Sequence, residues 1–193
     1  MTGWHGRAHA CALWLLLAPA LMARASGPPV HPELRADIAT HLVRPEGAAF
    51  SAYAWDREPD IVALYFGADW CGPCHAFVPT LREVRNALQA AGASTEVVYV
   101  SLDSSESDMR LYMRRQAMPW PAIDHRRLRG LPAIRALGGT APPNLVLVDR
   151  QGRVLASAWD GRRYPGLQQV LQRWVAHFDA GQTSPPAEAG TRR

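Results

Sequence analysis

Residues 65–77 read YFGADWCGPCHAF. The stretch closes an apolar run of strand length, IVALYFGA (61–68), and opens onto Phe77, Leu81, Val84 and Leu88, which recur at helical spacing between Pro73 and about Ala91. A buried strand therefore feeds an amphipathic helix, and Cys71 and Cys74 stand at the junction. A cysteine at the first turn of a helix meets free backbone N–H groups and the positive end of the helix dipole, and both stabilise a thiolate. Its pKa moves from about 8.5 towards about 7 or below, and the thiolate is the nucleophile in disulfide exchange. Cys71 has that place. Cys74, one turn on, is near enough to attack a mixed disulfide at Cys71 and release the product, which closes a two-electron cycle without a bound cofactor.

Two other chemistries fit the same letters. C-G-P-C-H satisfies the C-x-x-C-H pattern of c-type haem attachment, and two cysteines with a histidine are a partial ligand set for copper or zinc. Haem attachment asks for an axial ligand and helices around the porphyrin, whereas this motif lies between a buried strand and a further βα unit. A metal site would lack both a third cysteine in the mature chain and a local histidine pair. Beside the cysteines, Trp70 reads as a wall of the site, Asp69 as a loop charge and His75 as a surface residue of the helix.

The 193 residues are 48% hydrophobic and 20% charged, which suits one soluble domain with tails. All basic side chains are arginine, 21 of them against 17 acids, for a net charge of +4. That balance calls for no nucleic acid, and the densest basic run, HRRLRG (125–130), reads as a solvated face. The first 25 residues differ: Arg7 precedes an apolar run, CALWLLLAPALM (11–22), and Ala23-Arg24-Ala25 forms an A-x-A site. This is the pattern of a secretory signal peptide cleaved after Ala25, with Cys11 leaving in the leader. The apolar run is shorter than the ~20 residues of a spanning helix, so membrane contact is expected only if the leader stays uncleaved. Cys71 and Cys74 are then the only cysteines left. A single close pair cannot staple a fold, so the pair is reactive or a ligand set.

Further out, residues 26–47 form a Pro-rich lead in which ELRADIATHLV makes a short helix stopped by RPEG. EVVYVSLD (96–103) is a second buried strand, and SSES starts a helix carrying Met109, Tyr112, Met113 and Ala117. The order βαβα implies a parallel pair with a crossover, an α/β arrangement. MPWPAID (118–124) is irregular, a helical stretch near 126–137 ends at Gly138-Gly139, and NLVLVDRQGRVLASA reads as two strands around a DRQG turn. A last helix begins near Pro165, with Leu167, Val170, Leu171, Trp174, Val175 and Phe178 as its core stripe. Residues 180–193 are small and polar, as in a disordered tail.

WCGPC after YFGA resembles the active site of the thioredoxin superfamily, and the likeness runs from about Ile61 to Phe178. Pro79 matches the proline inside that family's active-site helix, and PNLVLVD (143–149) is similar to the segment that opens on its cis-proline, here Pro143. VYVSLDSSES, then YM, then MPWPAI resembles the tryparedoxin and nucleoredoxin branch. A more distant likeness is to periplasmic thioredoxins of the TlpA and ResA type. The resemblance implies a thioredoxin-like fold over residues 48–179, a central mixed β-sheet with helices on both faces. It implies a thiol-disulfide oxidoreductase whose redox-active disulfide is Cys71–Cys74, shaped by Trp70, Gly72, Pro73 and Pro143, with no metal and no cofactor. The partners it implies are protein disulfides or dithiols and an electron donor or acceptor, met by a secreted or periplasmic monomer. A redox-inactive binding module or copper chaperone on the same fold is the alternative. Two positions depart from the family. Tyr65 stands where thioredoxin has a buried acid, and Pro142 stands where the family offers substrate a backbone N–H.

Overall fold

The computed structural model describes residue 1 and residues 31–182. The leader, its cleavage site and residues 183–193 of the tail lie outside the described residues. The chain runs α1 (Pro32–Thr40), β1 (Leu42–Glu46), β2 (Ala49–Ala52), β3 (Ile61–Gly67), α2 (Gly72–Ala90), β4 (Thr95–Ser101), α3 (Glu106–Arg115), β5 (Ala122–Ile123), α4 (Pro132–Ala136), β6 (Asn144–Asp149), β7 (Val154–Ser157) and α5 (Leu167–Gln182). All seven strands form one sheet in the order β2-β1-β5-β4-β3-β6-β7. β3 runs parallel to β4 and antiparallel to β6, so the sheet is mixed.

The continuous apolar run of β3 has a simple cause: every one of its residues is buried, because helices cover both faces. Alternate side chains divide between two cores. Ala63, Tyr65, Val97, Tyr99, Leu145 and Leu147 face α2, α3 and α5, represented by Leu81, Met109 and Trp174. Val62, Leu64, Phe66, Val98, Val100 and Val146 face α1 and α4, represented by Ile38 and Ile134. Trp120, Met109 and Met113 are core residues.

Three local differences from the sequence reading have physical reasons. RPEG does not simply stop α1; Arg44, Pro45 and Glu46 belong to β1, which pairs with β2 through Pro45↔Phe50. The Leu42 carbonyl accepts from Tyr53 N–H, so even-numbered residues of β1 bond towards β2 and odd ones towards β5. Within β1, β5 pairs only with Leu42 and Val43, so Pro45 lies past its end and its missing N–H deprives no neighbour. β5 itself is the second difference, a two-residue strand inside MPWPAID. Third, the α5 stripe holds at Val170, Leu171 and Trp174, but Val175 is 38% exposed. α5 also continues beyond Ala180 to Gln182.

Candidate active site

β3 ends at Gly67, and the Cys71 N–H donates to the Ala68 carbonyl at 3.1 Å, so a tight turn brings the chain back over the strand end. Cys71 is the N-cap of α2 in an extended conformation (φ −94°, ψ 99°), and its Sγ accepts from Cys74 N–H at 3.2 Å. Gly72 and Pro73 form the exposed first turn, where the missing proline N–H goes unused by the helix. The two sulfurs are bonded to one another at 2.10 Å, with Cα atoms 5.2 Å apart. Cys71 keeps 5% of its surface in solvent and Cys74 none. Of the two residues, only Cys71 keeps any contact with solvent. Trp70, beside the outer sulfur, is 65% exposed.

Beneath the cysteines lies phenol, not carboxylate. The Tyr65 hydroxyl donates to the Cys74 carbonyl at 3.3 Å and meets the Tyr112 hydroxyl at 3.0 Å. Gly67 makes room for this, since a Cβ there would stand 2.6 Å from the Tyr65 hydroxyl oxygen. Burial holds the Tyr65 phenol well above its ordinary pKa, with the neighbouring Tyr112 adding to the shift. Burial also pushes Tyr112 up, to about 12.

A carboxylate does hold the loop from the side. Asp103, 7% exposed, takes the Asp69 N–H on Oδ1 at 2.8 Å and the Tyr99 and Ser101 hydroxyls on Oδ2 at 3.1 and 2.8 Å. Asp69 in turn is half-buried and paired with Arg115 at 3.1 Å. His75, which the sequence reading gives to the helix surface, is bonded through both ring nitrogens. The Gln116 amide donates to Nδ1 at 2.8 Å, so the network assigns the proton to Nε2, which donates to the Asp69 carbonyl at 2.6 Å. Asp103 and His75 are thus the two loop-holding residues that the motif does not announce. Asp103 lies 34 positions from the Asp69 N–H it accepts, and His75, six positions from the Asp69 carbonyl, is oriented by Gln116, 41 positions away; no local pattern marks such pairs.

On the other side of β3, Asn144 opens β6 opposite Phe66, which puts Pro142 and Pro143 at the strand end that leads to Cys71. The Pro142–Pro143 peptide is cis, and Pro143 is buried. The turn that carries Trp70, Cys71, Gly72, Pro73 and Cys74 and the cis peptide of Pro143 therefore lie at the same end of the β3–β6 pair. Among the described residues, no three His, Cys, Asp or Glu side chains converge in a way that could hold a metal ion.

Residues 59–154, about half of the chain, match the family model described as thioredoxin-like. The chain belongs to the thioredoxin-like family. Its thioredoxin-like domain is similar to a probable nucleoredoxin 1 of Arabidopsis thaliana, 39% identical over 100 residues, which are 49% of this chain and 16% of the relative. It is similar to human nucleoredoxin, 32% identical over 121 residues, 61% of this chain and 26% of the relative. Among solved structures, tryparedoxin II from C. fasciculata superposes with a TM-score of 0.53 at 28% identity, covering 65% of this chain and 86% of that one. The match thus spans about a quarter or less of these curated relatives. The nucleoredoxin and tryparedoxin likeness read from the sequence agrees with these findings.

Proposed function

We propose that this thioredoxin-like protein is a thiol-disulfide oxidoreductase that exchanges two electrons with disulfides or dithiols in proteins. The observation that carries this reading is the bonded pair at the start of α2, in which Cys71, at the helix N-cap, keeps a little solvent exposure and Cys74 keeps none. In the reducing direction the Cys71 thiolate attacks one sulfur of the substrate disulfide; that S–S bond breaks and a mixed disulfide forms. Cys74, deprotonated, then attacks the Cys71 Sγ. The mixed bond breaks, the substrate leaves with both sulfurs reduced, and Cys71–Cys74 holds the two electrons' worth of oxidation. The Tyr65 phenol stays protonated at neutral pH, so the proton from Cys74 goes to the departing substrate thiolate. A second dithiol or disulfide, the electron donor or acceptor, resets the pair.

In reduction of insulin by dithiothreitol, the protein accelerates turnover and Cys71→Ser abolishes the acceleration. Cys74→Ser accumulates a mixed disulfide at Cys71 that gel electrophoresis detects without reductant. Acceleration that survives Cys71→Ser overturns the assignment. The A-x-A site supports export, with the protein acting as a monomer in the periplasm or outside the cell. Mass spectrometry of the exported protein tests this: the expected chain starts at Ser26, and an intact Met1 in the membrane fraction makes it an anchored protein instead.

A further inference from the structure

The segment Met118-Pro119-Trp120, which the redox chemistry leaves unused, closes a cleft on the flank of the sheet. α3 ends at Arg115, and the chain turns at Ala117, whose φ of +47° is the only positive value of a non-glycine residue among the described residues. Such a turn usually takes glycine. Here the Met118 N–H donates to the Met113 carbonyl at 3.0 Å, and Arg82 donates to the Gln116 and Ala117 carbonyls at 2.9 and 3.1 Å, so the turn is held from two sides. It sends Met118–Trp120 towards Pro45, where β1 has run past the end of β5, and the two segments line a cleft of about 230 Å³.

The cleft offers donors and cations without acids. Trp120 lines it and is 1% exposed, and its buried indole N–H meets no acceptor among the described residues. The other wholly buried indole, Trp174, has its N–H on Thr95 Oγ1. Arg44 and Arg114 line the same cleft. The Arg44 Nε–H is buried and unpartnered among the described residues, and its guanidinium lies 4.0 Å over the Tyr53 ring. Arg114 is exposed, and its guanidinium has neither an ion pair nor a hydrogen bond among the described residues. No Asp or Glu lines the cleft, while Pro45, Met113 and Met118 give it apolar walls. A buried donor without a partner is costly, so a fold that keeps one beside two unpaired guanidinium groups is suited to an anion.

We infer that this cleft is a binding site for a carboxylate carried on a short apolar group. The Trp120 indole N–H and the Arg114 guanidinium donate to the carboxylate oxygens, Arg44 adds positive charge, and the apolar walls cover the body of the ligand. The inference does not depend on the oxidoreductase reading. A free organic acid and the C-terminal carboxylate of a peptide share this chemistry.

The test is a titration of the full chain, its tryptophans labelled with heavy nitrogen, followed by NMR through the Trp120 indole N–H resonance. The probe is N-acetyl-leucine, run beside its uncharged amide, inorganic phosphate and a pentapeptide ending in leucine. N-acetyl-leucine is expected to shift Trp120 saturably. The amide binds at least about tenfold more weakly, as for a lost hydrogen bond to a charged group. Arg114→Gln, an exposed change that leaves Trp120 in place, weakens binding of the acid about tenfold while insulin reduction holds. The peptide tells the two sources apart: binding tighter than N-acetyl-leucine marks a chain terminus, and weaker binding a free acid. If Trp120 does not move, so that water alone satisfies its indole, the inference is wrong. It is equally wrong if the amide or phosphate moves Trp120 as readily as the acid does, or if Arg114→Gln binds the acid unchanged.

Discussion

Asp103 converts a cysteine on a turn into a held cysteine. Its two oxygens take three donors, the Asp69 N–H and the Tyr99 and Ser101 hydroxyls, in a setting that is almost fully buried. Removing the acceptor strands the Asp69 N–H and the Ser101 hydroxyl, whereas the Tyr99 hydroxyl keeps the Gly67 carbonyl at 3.0 Å, and a buried unpaired donor costs more than the net worth of the bond it had. Asp103→Ala is therefore expected to lower stability by about 2 to 4 kcal/mol in urea denaturation, with Asp103→Asn, which keeps one acceptor oxygen, losing less. At this scale the sequence is partly legible. Cys71 and Cys74 are legible from their place between a buried strand and a helix, since the spacing C-G-P-C-H by itself also fits haem attachment or a metal site. Asp103 and His75 are not, because what gives each its task is a backbone group of Asp69 that only the turn at 68–71 brings within reach. Pro142 sits between these cases. Its lack of an N–H is visible in the letters, whereas the occupation of the neighbouring carbonyls by Trp159 and Tyr164 requires the folded β7–α5 connection.

Among the elements, the strands buried on both faces and the long helices are legible because one physical rule governs each. β3 and β4 must be continuously apolar to pass between two helical layers, and α2 and α5 must carry a stripe to lie on them. β1 and β5 obey no such rule. Pro45 reads as a breaker until the end of β5 is known, and a two-residue strand preceded by Pro119 and Pro121 carries no period at all. α5 is seated by Trp174, which is wholly buried and whose indole N–H donates to Thr95 Oγ1 at 2.9 Å. Trp174→Ala is expected to cost about 3 to 5 kcal/mol, measured by chemical denaturation. α3 starts on a side-chain cap, Ser105 Oγ accepting from Asp108 N–H at 3.1 Å, so Ser105→Ala should cost about 1 kcal/mol.

Taken as a whole, the molecule gathers three buried tyrosines under its redox edge, with Tyr65 and Tyr99 rings 5.7 Å apart and Tyr99 and Tyr112 rings 5.8 Å apart. All three phenols are harder to ionise in the fold than free, Tyr65 and Tyr99 chiefly through burial and Tyr112 reaching about 12 for the same reason. The unfolded chain therefore sheds these protons first as pH rises. Their contribution to stability is complete below about pH 10 and is lost as pH climbs through the folded values, about 12 for Tyr112. Urea midpoints taken from pH 8 upwards are expected to be flat on this account until about pH 10 and then to fall, with tyrosinate absorbance appearing only as the protein unfolds. The fold thus presents Cys71 at a strand end where, among the described residues, no carboxylate is hydrogen-bonded to Cys74. The most direct test of that arrangement is a single turnover. Reduced protein is mixed with a protein disulfide and quenched by alkylation, and mass spectrometry counts the Cys71–Cys74 disulfide formed against the substrate disulfide lost. The account predicts that the two amounts are equal and that Cys71→Ser yields neither. Substrate reduction without an equal yield of Cys71–Cys74 disulfide would contradict it.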